Sequence, residues 1–125
     1  MKILVVDDET DVQALFQQRF RKEIKSGEMQ FAFAFSGESA LDYLQKNEHE
    51  AVLILSDINM PGMSGLDLLQ RIKQKPADPV PVVMMITAYG DDQNYNEAKK
   101  LGADDFLTKP VDFADLKIKL KQRVV

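Results

Sequence analysis

Five polar residues of this chain each come at or just after the end of an apolar run. Asp7 and Asp8 follow ILVV, Asp57 follows LILS, Thr87 follows VVMMI and Lys109 follows FLT. Apolar runs of this length predict buried strands, and a buried aspartate is costly unless a cation or a hydrogen-bond donor compensates it. If the five side chains meet, three carboxylates share a single ammonium group.

That excess of negative charge favours a divalent cation. Like charges a few ångströms apart repel by several kcal/mol at the effective dielectric of a protein surface. An all-oxygen site that keeps room for water suits Mg²⁺. With Mg²⁺ bound, an oxygen of Asp57 becomes a nucleophile for phosphorus, because aspartyl phosphates are an established class of covalent intermediate. Thr87 and Lys109 would then hold the oxygens of the incoming phosphoryl group.

The elements that must position these residues alternate between two hydrophobic periods. Strands are predicted at residues 3–6, 30–35, 52–55, 82–86 and 103–108. Five helices are predicted between and after them, because apolar residues recur there at helical spacing. The first helix should begin at Thr10, with Gln13 completing a capping box, and Ser36, Ser64 and Asp112 should precede later helices.

This alternation predicts an α/β fold, with a doubly wound five-stranded parallel sheet and five flanking helices. The first, third and fourth strands are the most apolar and should be central, which gives the flavodoxin-like order 2-1-3-4-5. In such sheets the functional crevice lies beyond the carboxyl ends of the strands. The five polar residues should therefore meet there.

Composition limits the class of protein. The 125 residues are 45% hydrophobic and 29% charged, which predicts a single globular domain over residues 1–125. A net charge of −4 argues against direct nucleic-acid binding. The chain has no cysteine, which excludes disulfides and thiolate metal sites and fits a cytoplasmic protein. We expect no membrane segment, and the apolar run after Met1 is too short for a signal peptide.

The motifs VVDDE, LSDINMPGMSG, ITA and TKP together resemble the receiver domain of two-component response regulators. The resemblance covers essentially the whole chain. It implies phosphorelay signal transduction, in which Asp57 is the phosphoacceptor for a phosphohistidine of a sensor histidine kinase or a histidine phosphotransfer protein. It also implies slow autodephosphorylation and no separate substrate, so the chain would not be an enzyme in the ordinary sense. Both a stand-alone receiver and a piece of a longer protein fit this pattern.

The resemblance assigns a role to each site residue. Asp8 would bind Mg²⁺ directly and Asp7 mainly through water, while Asp57 and the backbone carbonyl of Asn59 would complete the metal ligands. Thr87 would be the switch hydroxyl. Lys109 would bind the phosphoryl group, and its peptide bond to Pro110 is expected to be cis.

Two aromatic residues complete the expected switch. Phe106 stands where the family often has tyrosine, so its coupling would rest on packing alone. Tyr89 stands where family members tune the lifetime of the phosphoryl group. Phosphorylation should draw the Thr87 hydroxyl toward Asp57, since a hydrogen bond to a charged acceptor is worth about 1.5–3 kcal/mol. Phe106 would rotate in from the surface, and burying its ring contributes roughly 1.5–3 kcal/mol.

The surface expected to change lies on the fourth predicted helix, the fifth strand and the fifth helix, at about residues 91–125. A downstream protein or a second copy of the chain would dock there.

Three other functions compete with this one. A Mg²⁺-dependent phosphohydrolase would want an acid where Asn59 stands, and a flavodoxin-type binder would want a Ser-, Thr- or Gly-rich loop where DDETD stands. A pseudo-receiver used only for docking would not need the intact acid, threonine and lysine set.

Overall fold

The computed structural model describes residues 1–48, 50, 52–76 and 80–123. Strands and helices alternate along the chain, as the two hydrophobic periods predict. The elements are β1 (Lys2–Val6), α1 (Asp11–Arg19), α2 (Arg21–Ser26), β2 (Gln30–Ala34), α3 (Gly37–Lys46), β3 (Val52–Asp57), α4 (Gly65–Gln74), β4 (Val82–Thr87), α5 (Asp92–Lys100), β5 (Asp105–Thr108) and α6 (Phe113–Gln122).

The five strands form one parallel sheet in the order β2-β1-β3-β4-β5. The predicted order is therefore confirmed, with the three most apolar strands in the centre. Alternate residues of the central strands enter two separate cores. Leu4, Ile54 and Val83 face the core beneath α3, α4 and α5, whereas Ile3, Leu55 and Met84 face the core beneath α1 and α6. Burial on both faces explains why these strands read as unbroken apolar runs.

The first predicted helix is interrupted at one residue. Phe20 has φ −108° and ψ 25°, which separates α1 from α2, so six helical segments stand among the described residues where five helices were expected. The hydrogen bonds from Phe20 N to Phe16 O and from Ile24 N to Phe20 O continue across the interruption, both at 2.9 Å. The segment thus keeps its helical course while the Phe20 ring is fully buried against Phe16 and Phe31.

Helix ends carry a consistent pattern of charge. Each of the six helices has an acid in its first turn and a base in its last turn, which suits the helix macrodipole. The Ser64 side chain accepts a hydrogen bond from Asp67 N at 3.2 Å, and Asp112 accepts one from Ala114 N at 2.9 Å. The capping box predicted at Thr10 is wrong. Thr10 already has helical dihedrals and makes no side-chain cap.

Among the described residues, no helix combines the length and the apolar character that crossing a lipid bilayer requires.

Candidate functional site

Three aspartates meet at the carboxyl edge of the sheet. Asp7 and Asp8 follow β1, and Asp57 is the last residue of β3, which ends two residues beyond the predicted strand at 52–55. One carboxylate oxygen from each lies within 4.8 Å of the others. Asp7 is 8% exposed and Asp57 is 3% exposed, whereas Asp8 is exposed at the rim. The structure therefore brings together the three carboxylates that the sequence placed at neighbouring strand ends.

Asp57 is held by two donors. Lys109, which follows β5, donates from Nζ to Asp57 Oδ2 at 2.6 Å. The backbone N–H of Asn59 donates to the other oxygen, Oδ1, at 3.2 Å. Asp7 is held in the same manner, because its Oδ1 accepts the Glu9 N–H at 3.0 Å. This last bond lies in the turn between β1 and α1.

Two groups of the site, Asp7 and Lys109, have shifted pKa values. Burial raises the pKa of Asp7; the hydrogen bond from Glu9 N–H opposes this effect, and the charge of Asp57 adds to it. Burial lowers the pKa of Lys109, but its hydrogen bond to Asp57 and the charges of Asp57, Asp7 and Glu9 outweigh burial, so its pKa lies above the ordinary value. The raised pKa of Asp7 therefore comes mainly from burial, and that of Lys109 comes from the carboxylates around it.

The donor set fits a hard divalent cation. Asp7, Asp8 and Asp57 offer only oxygen, two of them are buried and one is open to water, which is the mixture that Mg²⁺ accepts. The acidic triad is typical of the Mg²⁺ site of receiver domains. The Asn59 carbonyl remains a predicted ligand, since the bond seen at this residue is that of its N–H to Asp57.

Gly65 fixes the loop that carries Asn59. Its N–H donates to Ile58 O at 2.8 Å. A Cβ placed on Gly65 would collide with the backbone carbonyl of Asp57 and would lie 2.7 Å from Ile58 Cα. Only glycine lets the start of α4 approach the end of β3 so closely. The Lys109–Pro110 peptide bond is cis, as expected.

The two residues predicted to form the switch, Thr87 and Phe106, lie on the neighbouring strands β4 and β5. Thr87 is 5% exposed, and its hydroxyl donates to Leu107 O on the neighbouring strand at 3.4 Å. Phe106 was expected at the surface, but it is only partly exposed. The ring of Tyr95 on α5 covers it, with centroids 4.3 Å apart. Tyr89 is 90% exposed and borders an open cavity of about 600 Å³ that also touches Asp7 and Lys109.

Sequence reasoning missed two groups. Tyr95 was not singled out, because nothing in the helical pattern of α5 shows that its ring meets Phe106. The Ser56 hydroxyl is also buried and donates to Asp57 O at 3.0 Å, where it stabilises the end of β3. Its place in an otherwise apolar strand, next to a candidate nucleophile, was the available signal.

Comparisons with known proteins agree with this geometry. The family model described as "Response regulator receiver domain" matches residues 3–121. The chain is 36% identical over 121 residues to Response regulator RppA of Synechocystis sp., covering 97% of this chain and 49% of RppA. It is also 36% identical over 121 residues to Sporulation initiation phosphotransferase F of Bacillus subtilis, covering 97% of this chain and 91% of that protein.

A solved structure gives the same result. The response regulator receiver domain protein of Clostridium thermocellum superposes with a TM-score of 0.83 at 30% identity, covering 97% of this chain and 91% of that chain. This chain spans about half the length of RppA and a smaller share of some other curated relatives. The matches cover both the sheet and the acidic edge. The chain belongs to the response regulator receiver domain family of two-component signalling.

Proposed function

We propose that residues 1–125 form one phosphoacceptor domain and that Asp57 takes a phosphoryl group from a phosphohistidine. The donor would be a sensor histidine kinase or a histidine phosphotransfer protein. The observation that carries this proposal is the state of Asp57. Its carboxylate is almost fully buried, is held by Lys109 at 2.6 Å, and lies within 4.8 Å of two further acids. A carboxylate with only a structural role would need a partner such as Lys109 to compensate its burial, but it would not need two further acids beside it.

In the transfer, an oxygen of Asp57 forms a bond to phosphorus as the P–N bond of the donor breaks. The electron pair of that bond stays on the imidazole nitrogen, which takes up a proton. Asn59 N–H and Lys109 hold Asp57 in place before the transfer. Lys109 then shifts its ammonium group to the phosphoryl oxygens, where a charge-assisted hydrogen bond is strongest. Slow hydrolysis of the acyl phosphate returns the free carboxylate.

Mg²⁺, held by Asp8, by Asp7 through water, by Asp57 and by the Asn59 carbonyl, would supply the positive charge that the transferred group requires. The chain's own groups set this requirement. Lys109 provides one positive charge against three carboxylates, and the charge of Asp57 adds to the effect of burial in raising the pKa of Asp7. No further substrate is needed, so the reaction is a self-modification.

The phosphorylated state would be transmitted by Thr87. Its hydrogen bond to Leu107 O is long, at 3.4 Å, so a charged acceptor on Asp57 would compete for the hydroxyl. The surface affected is formed by α5, β5 and α6, the face that the sequence places at about residues 91–125; residues 124 and 125 lie outside the described chain. It exposes Ile118 and Tyr95, which suits docking of a downstream protein or a second copy.

Acetyl phosphate with Mg²⁺ tests the acceptor. Intact-mass spectrometry should show one added phosphoryl group on the parent chain and on Asp11→Asn, a matched charge change outside the site. Asp57→Asn should gain none. Equal labelling of Asp57→Asn and the parent chain would contradict the acceptor. No labelling of any variant would favour the alternative, a pseudo-receiver used only for docking.

Thr87→Ala tests transmission. The variant should still bind beryllofluoride, which stands in for the phosphoryl group, because Lys109 and the acids remain. Amide shifts on the face formed by α5, β5 and α6 should largely disappear in its NMR spectrum. If those shifts persist at parental size, the signal leaves the site by a different route.

A further inference from the structure

The contact between Tyr95 and Phe106 has no part in the acceptor chemistry. Tyr95 lies in the middle of α5 and is 38% exposed, and its ring meets that of Phe106 at a centroid distance of 4.3 Å and an interplanar angle of 45°. Aromatic pairs at such distances attract one another beyond the area that they bury. Tyr95 is therefore the outer cover of Phe106 in the unphosphorylated chain.

The backbone of Phe106 is fixed from several sides. Its N–H donates to Asp105 Oδ1 at 2.8 Å, and its carbonyl accepts from Lys119 Nζ at 3.2 Å. It also pairs with Met85 in the ladder between β4 and β5. Any response of this residue must consequently be a rotation of its ring. A ring that turns away from Tyr95 leaves that side chain without its main partner.

We propose that Tyr95 is a positioning residue for the switch: its ring holds Phe106 in the resting orientation, and activation uncovers Tyr95 on the face formed by α5, β5 and α6. The inference rests on the proposed function, because it needs a phosphoryl group, or its mimic, on Asp57. The exposure of the Tyr95 ring would then differ between the unphosphorylated and the phosphorylated surface.

The proposal gives a sign and a size for the energetic effect. A ligand that binds only the active state binds more tightly when that state is more populated at rest. Tyr95→Ala, which removes the ring contact, should therefore bind beryllofluoride more tightly than the parent. The affinity should rise roughly two- to tenfold if the contact has the usual strength of an aromatic pair. Tyr95→Phe retains the ring and should bind as the parent does. Ile118→Ala, on an exposed apolar side chain of the same face, should also leave the affinity unchanged.

A second measurement follows the tyrosine rings of the parent chain by fluorine NMR. The chain has three tyrosines and no tryptophan, so incorporation of 3-fluorotyrosine gives three fluorine signals. On addition of beryllofluoride with Mg²⁺, the Tyr95 signal should move and its solvent-isotope shift should rise, because the ring becomes more exposed. The Tyr43 signal should stay in place. Each signal is assigned with its Tyr→Phe variant.

The outcomes separate the two proposals. Beryllofluoride binding with an unchanged Tyr95 signal would overturn the role of Tyr95 and leave the acceptor function intact. Equal affinity of Tyr95→Ala and the parent would overturn it as well, provided that Tyr95→Ala is folded; if that variant does not fold, the fluorine signal decides. Absence of beryllofluoride binding to the parent chain would contradict the acceptor function and, with it, this inference.

Discussion

Replacing Asp8 with asparagine should make the metal-free protein more stable. Asp8 is exposed and makes no ion pair with any residue that the structure describes, while its carboxylate lies within 4.8 Å of those of Asp7 and Asp57. Its charge therefore acts on the cluster mainly by repulsion. The same charge becomes favourable once a cation is bound, so the substitution should have opposite effects in the two conditions.

The size of the effect follows from the distance. Two unit charges 4.8 Å apart repel by about 3.5 kcal/mol at an effective dielectric of 20 and by about 1 kcal/mol in bulk water. Asp8 is solvated, so the lower figure applies, and salt reduces it further. We expect Asp8→Asn to be about 1 kcal/mol more stable than the parent without metal. At a Mg²⁺ concentration about ten times its Kd, the parent gains roughly 1.4 kcal/mol, and Asp8→Asn should gain far less.

Urea unfolding with EDTA and with Mg²⁺ measures both quantities. Asp11→Asn is the matched control, because it removes the same charge one turn away, in the first turn of α1. At that position the Asp11 carboxylate stabilises α1 through the helix macrodipole, so its loss should slightly destabilise the protein in either buffer. The reasoning is refuted if Asp8→Asn is less stable than the parent in EDTA, or if Mg²⁺ stabilises it as much as the parent.

Two further predictions concern the ends of β3 and β5. Gly65→Ala should cost roughly 1–3 kcal/mol in urea unfolding and slow acetyl phosphate labelling, because its Cβ would push on the Asp57 carbonyl; parental values for both would contradict the close packing. Asp105 makes stability depend on pH. Burial raises its pKa, but the hydrogen bonds from Phe106 N–H and Lys119 and the charges of Lys119 and Arg123 outweigh this, so its pKa lies below the ordinary 3.8. A lowered pKa means that Asp105 contributes stability above about pH 4 that is lost as the pH falls through its folded pKa. Thermal unfolding of Asp105→Asn should show a lower Tm at neutral pH and a smaller further loss in acid; an acid profile parallel to that of the parent would rule this out.

The sheet was predictable because its signal is local. The runs in β1, β3 and β4 are buried on both faces, so their residues are apolar without alternation, and the polar residue after each run marks the carboxyl edge. Parallel strands bring those edges together whatever the loops do. For this reason the sequence alone places Asp7, Asp57 and Lys109 in one site.

The break at Phe20 and the contact between Tyr95 and Phe106 depend on packing that the spacing of residues in the sequence does not specify. Phe20 keeps the apolar period of a continuous helix, yet its backbone departs from helical geometry where its ring packs among Phe16 and Phe31. Tyr95 and Phe106 are eleven positions apart on different elements, and only the rotation of α5 over β5 brings their rings together. Propensity and periodicity do not fix that rotation.

The charges at the helix ends have a consequence beyond the stability of each helix. The loops from the strands lead into the helices at the carboxyl edge of the sheet, so their first-turn acids lie at the end that holds the aspartates, and the last-turn bases lie at the other end. The molecule is thus an electric dipole with its reactive end negative. Its field draws cations to the acids and, if the chain functions as we propose, repels an anionic phosphohistidine until a cation has reduced that charge. In the proposed function, the long-range field would thus favour one order of arrival, with the cation first and the phosphodonor second.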